Sequence, residues 1–294
     1  MKFVVSVPYY SERCGGTSVL LELARRLYER GHDSKVFLHD RTNEHINPIY
    51  SVYTYDERVD DDTIVIYSEM DVGNRLHATR IVRLVLYGSH MYDRYDPNEI
   101  IYYHAPFCKN NRTDQLLTIL RWPTGFENQH MIRTNRACYA VKKGVRIPEI
   151  RKLVNDTNTL KDKGINIEGK GHAELIKIFN TTKYFYCYDP CCFLIIMALM
   201  CGCVVVQCPI PGYTSEEWKY TINIMGLNGI AYGETDIERA EKTIDNAIDD
   251  CMKLKQFSET SVDKFVNSIA TGTHNRVKCY KFNESIYSLQ HIMK

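Results

Sequence analysis

Between Tyr188 and Pro209 the chain reads YDPCCFLIIMALMCGCVVVQCP, its longest apolar run. From Pro190 to Val206 it places 17 residues without a charge. A membrane-spanning helix needs about 20 apolar residues, with a lower limit near 17. Local signals cut this run in two. Asp189 followed by Pro190 predicts a helix start, because aspartate accepts bonds from first-turn amides and proline suits the first helical position. Gly202 is a stop signal, and CVVVQ after it is β-branched. The expectation is a buried helix of about 12 residues followed by a strand of about 5.

Cys187, Cys191, Cys192, Cys201, Cys203 and Cys208 crowd the same stretch. No CxxC pair occurs among them, whereas structural zinc sites present closely spaced ligand pairs from turns. Buried packing as small hydrophobes is the expectation. The N-terminus, MKFVVSVPYYSER, has no long apolar core or small-residue cleavage site and reads as a buried strand. Eleven cysteines behind such a start predict reduced thiols and a cytoplasmic protein. The sequons at Asn111, Asn155, Asn180 and Asn283 then carry no meaning. A formal net charge of +1, with 25% charged residues, argues against a dedicated nucleic-acid binder.

The rest of the chain alternates strands and helices. KFVVSV reads as a strand, SERCGGTS as a glycine-containing loop and VLLELARRLYERG as an amphipathic helix, with Leu20, Leu23, Ala24 and Leu27 at helical spacing. DSKVFL is the next strand, completing a βαβ unit. TIVIYSEMD is a strand running into Glu69 and Asp71, RIVRLVLYG a helix or strand, and EIIYYHAPF a strand. WPTGFENQH reads as a linker. A second series follows: strand RACYAV, helix PEIRKLVND, strand GINIEG, helix GHAELIKIFN, strand KYFYC, then the apolar helix and CVVVQC. ERAEKTIDNAIDDCMKLKQF and SVDKFVNSIATG read as two polar amphipathic helices. The expected fold class is α/β, with two Rossmann-like parallel-sheet domains at about 1–125 and 126–255 and a helical tail at 256–294 returning to the first.

This order of segments resembles a small GT-B glycosyltransferase, in which two Rossmann-like domains face a cleft. VVSVPYYSERCGGTSVLLELARRLYERGHDSKVF is similar to the strand, Gly-Gly loop, helix and "GH-V" turn that open such enzymes. YAVKKG resembles their "GR…KG" strand end, and GHAELIKIF…KYFYCYDPCCFLIIMALMCGCVVV resembles their donor-holding segment. The trim, cysteine-rich form also looks like glycosyltransferases encoded by large DNA viruses or bacteria. The resemblance implies sugar transfer from a nucleotide-diphosphate donor, UDP-sugar first and GDP-sugar next, to a hydroxyl of a glycan. The first domain would take the acceptor.

Carried over by position, the resemblance puts Gly15, Gly16 and Thr17 at the donor diphosphate or acceptor, and Lys142 and Lys143 at the diphosphate leaving group. It puts His172 beside the nucleotide base, and Asp189 with the amides of Cys191 and Cys192 at the donor's sugar and phosphate. Two departures stand out. Met197 replaces the second glutamate of the E-x7-E pattern that Asp189 begins, and the arginine of "GR" is missing. An inverting enzyme also needs a general base, for which Glu12, Glu69, Asp71 and His104 are candidates at the strand ends of the first domain. Asp60–Asp62 precedes a strand and reads as a solvated turn, and no essential metal or other cofactor is expected. Two other readings compete: a binding or scaffold protein on a decayed transferase fold, and a nicotinamide oxidoreductase. The latter is disfavoured because SERCGGTS is not GxGxxG.

Overall fold

Short β-branched runs separated by amphipathic helices commit the backbone to parallel pairing, since each strand must cross over before the next begins. A computed structural model describes residues 1–9, 15–39, 58–87, 95–96, 98–108, 115–155, 160, 163–222 and 224–273. The chain divides into two compact units, one holding Met1–Arg121 with residues 256–273, the other Trp122–Lys255.

In the first unit, β1 (Lys2–Val7), β2 (Asp33–Leu38), β3 (Thr63–Ser68), β4 (Arg80–Val85) and β5 (Ile100–Tyr103) form a five-stranded sheet in the order β2-β1-β3-β4-β5. In the second, β6 (Asn135–Ala140), β7 (Ile165–Asn166), β8 (Thr182–Cys187), β9 (Val204–Gln207) and β10 (Ile230–Tyr232) form another, in the order β7-β6-β8-β9-β10. Every pairing is parallel. Numbered from one within each unit, both orders read 2-1-3-4-5, so the strand order reverses between β1 and β3 and again between β6 and β8. At such a reversal the loops leaving neighbouring strands diverge to opposite faces and open a crevice at the carboxyl ends.

One face of the first sheet buries Phe3, Val5 and Val7 under α1 (Gly15–Glu29) and the last part of a long helix, α7 (Ala247–Thr271), through Leu20, Leu23, Leu27, Val262, Phe265 and Ile269. The other face packs Val4, Phe37, Val65 and Tyr67 with Leu76 and Ala78. Buried Arg26 on α1 donates to Glu22 at 2.8 Å, to Ser258 of α7 at 2.8 Å and to the Leu120 carbonyl at 2.5 Å. In the second unit, α2 (Pro148–Asn155), α3 (His172–Thr181), α4 (Leu194–Met200), α5 (Ser215–Thr221) and α6 (Ile237–Thr243) intervene between or follow the strands.

The apolar run is a helix, a turn and a strand, and Gly202 makes the turn at φ +77°. No helix among the described residues is long and apolar enough to cross a membrane. The helix is shorter than expected, beginning at Leu194 rather than Pro190. The carbonyls that a first turn from Pro190 needs are taken by other partners. Trp218 Nε1 donates to Pro190 O at 2.9 Å, and Cys187 Sγ to Asp189 O at 3.4 Å. Burial pushes the Cys191 and Cys203 thiols up to about 12, and those of Cys201 and Cys208 to about 11, so all four are neutral thiols at ordinary pH.

Four further expectations change. Gly15–Thr17 form the first turn of α1 rather than a loop. GINIEG pairs only at Ile165–Asn166, while RIVRLV takes the strand of the two readings left open for it. The break among the final helices falls at Ile244–Asn246, and α7 then runs without interruption past residue 260. The serines that look like a boundary are ties instead: Ser258 Oγ accepts from Leu120 N and Ser261 Oγ from Thr118 N, each at 2.9 Å. WPTGFENQH is not a free linker, since Phe126 is buried against Phe179 and Gln129 N donates to Asn180 Oδ1 at 2.7 Å.

At the amino edge of the second sheet, Arg133 gathers backbone carbonyls. It donates to Phe179 O at 3.0 Å, to Thr182 O at 2.5 Å and to Cys201 O at 2.7 Å, gripping the ends of α3 and α4. Phe179 O and Thr182 O also accept from Cys203 Sγ at 3.0 and 3.1 Å, so removing the guanidinium takes the side-chain donor from Cys201 O and leaves the other two to share one thiol, and a buried unpaired group costs about 1–3 kcal/mol. Arg133→Met should therefore destabilise this unit by roughly 1–3 kcal/mol. Both tryptophans, Trp122 and Trp218, lie in this unit, so the fall is read as a lower urea midpoint in tryptophan fluorescence. An unchanged midpoint would show that the carbonyls find other donors.

Candidate functional site

The carboxyl ends of β6 and β8 are adjacent strand ends, with Ala140 paired to Cys187. Leaving β6, the chain enters a 3-10 turn, Lys142–Arg146, with Lys142 in the left-handed region at φ +41°. Gly144 is buried in that turn, and a Cβ there would lie 2.3 Å from the Tyr188 carbonyl oxygen. Only glycine permits the contact. The lysine turn is thus packed directly on the residue before Asp189.

Asp189 is 2% exposed and accepts a bond from Cys191 N at 3.0 Å through Oδ1. Its aspartate closes a short turn ahead of α4 rather than the helix itself. The Cys191 amide is consequently occupied by protein. Burial raises the Cys191 thiol while the Lys143 ammonium pulls it down and the Asp189 carboxylate adds to the rise, so all three groups share one electrostatic neighbourhood. Glu168, just after β7, completes the arrangement: its Oε1 accepts from Val141 N at 2.8 Å and Lys142 N at 2.5 Å. A carboxylate already satisfies the amides that open the lysine turn. His172 begins α3, exposed, with Nε2 2.9 Å from Thr124 O and its ring edge-on to Phe126.

The strand-order reversal of the first unit, between β1 and β3, carries a second constellation. Ser6 of β1 is buried and donates to Asp71 Oδ2 at 2.5 Å. His39, one residue beyond β2, has Nε2 at 2.7 Å from Ser6 Oγ and 3.0 Å from Asp71 Oδ2. Arg75 Nε reaches Asp71 Oδ1 at 3.2 Å. Burial alone would raise the Asp71 carboxyl, but the bonds from His39 and Ser6 outweigh it and hold it below the usual carboxylate range. Buried Arg83 fixes the loop carrying Asp71. It lies between the Tyr67 and Tyr95 rings at 4.7 and 5.0 Å, pairs with Glu99 at 2.6 Å, and donates to the carbonyls of Asp71 and Gly73.

The other base candidates have different company. Glu69 is buried and accepts from Leu86 N at 3.1 Å and Tyr87 N at 2.9 Å, securing the chain after β4. Burial pushes His104 down to about 4, and its Nδ1 lies 3.4 Å from Ile119 N. Glu12 lies outside the described residues. Gly15 has open space around it, and Gly16 approaches Leu86. Thr17 is buried. Asp60 and Asp62 pair with Lys2 at 2.8 and 3.3 Å, and Asp61 accepts from Thr79, at the amino ends of the strands and so at the opposite sheet edge from Ser6, His39 and Asp71. No group of three or more histidine, cysteine or carboxylate residues among the described residues is arranged to hold a metal.

Ser6, His39 and Glu168 are the residues that motif reading passed over. Ser6 carried a weak signal as a polar residue inside a β-branched strand. His39 and Glu168 look like ordinary loop residues until the strand order brings them beside their partners.

No family model matches the chain, and no curated protein matches it in sequence. Among solved structures it is similar to a glycosyltransferase from Rickettsia africae ESF-5, with 10% identity, a TM-score of 0.47, and 90% of this chain and 93% of that one covered. It is similar to an alpha-glucosyltransferase solved with UDP, at 12% identity and TM-score 0.48, covering 93% and 100% of the two chains. It is also similar to sucrose-phosphate synthase from Thermosynechococcus elongatus, at 11% identity and TM-score 0.47, covering 93% and 98%.

His104 yields a signed pH dependence. Its folded pKa of about 4 lies below the ordinary 6.5, so the neutral form is favoured by folding. Stability from this group is complete above pH 6.5 and is lost as pH falls toward 4, because the unfolded imidazole takes a proton that the folded one refuses. Between pH 7.5 and 5 the loss is about 2 kcal/mol. Urea unfolding followed by circular dichroism should show His104→Gln with that much less pH dependence than the wild type. Equal dependence in both would assign the loss to other groups.

Proposed function

We propose that the chain is a glycosyltransferase that moves a sugar from a nucleotide-diphosphate donor to a hydroxyl of a glycan, with UDP-sugar as the favoured donor. The single observation that carries this reading is the packing of the Lys142–Gly144 turn on Tyr188, which gathers Lys143 and Asp189 at the strand-order reversal of the second unit. Open α/β sheets take ligands at such a reversal. The order of sequence segments resembling GT-B enzymes, which first pointed to these two residues, supports the same reading.

In this proposal Lys143 stabilises the negative charge that grows on the leaving diphosphate as the glycosidic carbon–oxygen bond breaks. Asp189, buried and fixed by the Cys191 amide, accepts a hydroxyl of the donor sugar with its second oxygen. The helix after it has seven residues and no side-chain cap, and the Cys191 amide is engaged. The phosphate therefore depends on the lysine more than on backbone amides. No metal is required by this scheme, since an ammonium supplies the positive charge.

Isothermal titration with UDP and with uridine tests the reading. Lys143→Ala should weaken UDP binding by at least about tenfold, the loss of one charge-assisted contact. Uridine, which has no diphosphate, should bind both proteins alike within about twofold. Equal weakening of both ligands, or no saturable UDP binding by the wild type, would remove the lysine from this role and the donor assignment with it.

A further inference from the structure

We propose that Glu168 is a positioning residue for the donor's diphosphate: its carboxylate holds Lys142 in a left-handed backbone conformation and so sets where the Lys143 ammonium stands. This rests on the glycosyl-transfer reading, and every group involved lies in the second unit. Three observations carry it. The first is the backbone at the end of β6. Val141 is right-handed, at φ −105° and ψ −47°, and Lys142 follows at φ +41°. Successive residues of opposite hand turn their amides toward one point. Glu168 Oε1 stands at that point, accepting from Val141 N at 2.8 Å and from Lys142 N at 2.5 Å.

The second is the strain that this conformation carries. A Cβ at positive φ crowds its own backbone, and such a residue persists only where its surroundings hold it. Among the described residues, His77, His130 and Lys142 alone adopt positive φ without being glycine. A lysine side chain has no acceptor with which to steady this geometry from within, so the hold comes from Glu168. The Lys142 angle sets the direction in which the chain leaves β6. Gly144 then meets the Tyr188 carbonyl, and Lys143 lies between two fixed points. The third observation is that Glu168 is itself aimed. Ile167 N donates to Tyr139 O at 3.0 Å and Glu168 N to Asn166 Oδ1 at 2.9 Å, so the β6–β7 register places the carboxylate.

Geometry and charge act in opposite directions on an anionic ligand. Glu168 keeps the lysine turn in place, yet a carboxylate beside that turn repels phosphate oxygens. Two substitutions separate the effects. Glu168→Gln keeps a side-chain oxygen able to accept both amides and removes the negative charge. Glu168→Ala removes the oxygen and the charge together. Lys142→Gly supplies the complementary change, because glycine enters the left-handed region without strain and needs no clamp to stay there.

The test titrates the full chain with UDP and with uridine. Glu168→Ala should weaken UDP binding at least about fivefold while uridine stays within about twofold. Glu168→Gln should bind UDP at least as tightly as the wild type. In the Lys142→Gly background, Glu168→Ala should change UDP affinity by less than about twofold, the non-additivity of two residues that act through one backbone angle. Equal weakening of both ligands by Glu168→Ala, or the same loss of UDP affinity in the glycine background, overturns the assignment. Should Glu168→Ala fail to fold, Glu168→Gln decides: UDP binding weaker than the wild type's overturns the assignment, and binding as tight or tighter supports it. UDP binding that Lys143→Ala weakens and Glu168→Ala leaves unchanged overturns this inference while the transfer reading stands. No saturable UDP binding by the wild type removes both.

Discussion

A backbone contact organises the second unit's site. Gly144 rests on the Tyr188 carbonyl at a distance no side chain allows, and this brings the turn after β6 against the turn after β8. Everything charged in the neighbourhood follows from it. Lys143 is carried on one side of the contact and Asp189 on the other, and Glu168 braces the lysine turn by occupying its first amides. Any side chain at position 144 would have to push two strand ends apart, and with them the cation from the carboxylate.

The two units solve one topological problem twice. Each has a parallel sheet whose order reverses beside its first strand, and each carries a buried aspartate after its third strand in chain order. The surroundings of the two carboxylates differ in a chemically useful way. Asp71 is encircled by a histidine, a serine and an arginine, and against the effect of burial their bonds hold it below the usual carboxylate range. Asp189 accepts from a backbone amide and has a lysine turn as its neighbour. The first environment suits orientation of an imidazole, the second recognition of a polar, anionic ligand.

How far the sequence reaches depends on the range of the forces involved. Alternating β-branched runs and the Leu20–Leu23–Ala24–Leu27 stripe are local, and they reveal the parallel sheets and α1 without any tertiary knowledge. Helix ends are less legible because distant groups compete for the same backbone. Trp218, 28 residues away from Pro190, takes a carbonyl that local propensity assigned to a helix. Ser258 and Ser261 read as a helix boundary because their partners, Leu120 and Thr118, lie more than a hundred positions earlier. The same limit hid Ser6, His39 and Glu168. Nothing near His39 in the chain says that Asp71 will meet it; only the β2-β1-β3 order does.

The first sheet is made largely from early residues, yet Val262, Phe265 and Ile269 complete its covered face, and Ser258 closes the Arg26 cluster. During synthesis these residues emerge after the whole of Trp122–Lys255. A domain normally folds as its chain leaves the ribosome, but here the opening half must stay incomplete until the closing helix arrives. The covered face of the first sheet is therefore completed only after all of Trp122–Lys255 has been translated. Truncation before residue 262 would then leave an exposed apolar sheet face rather than a smaller working protein.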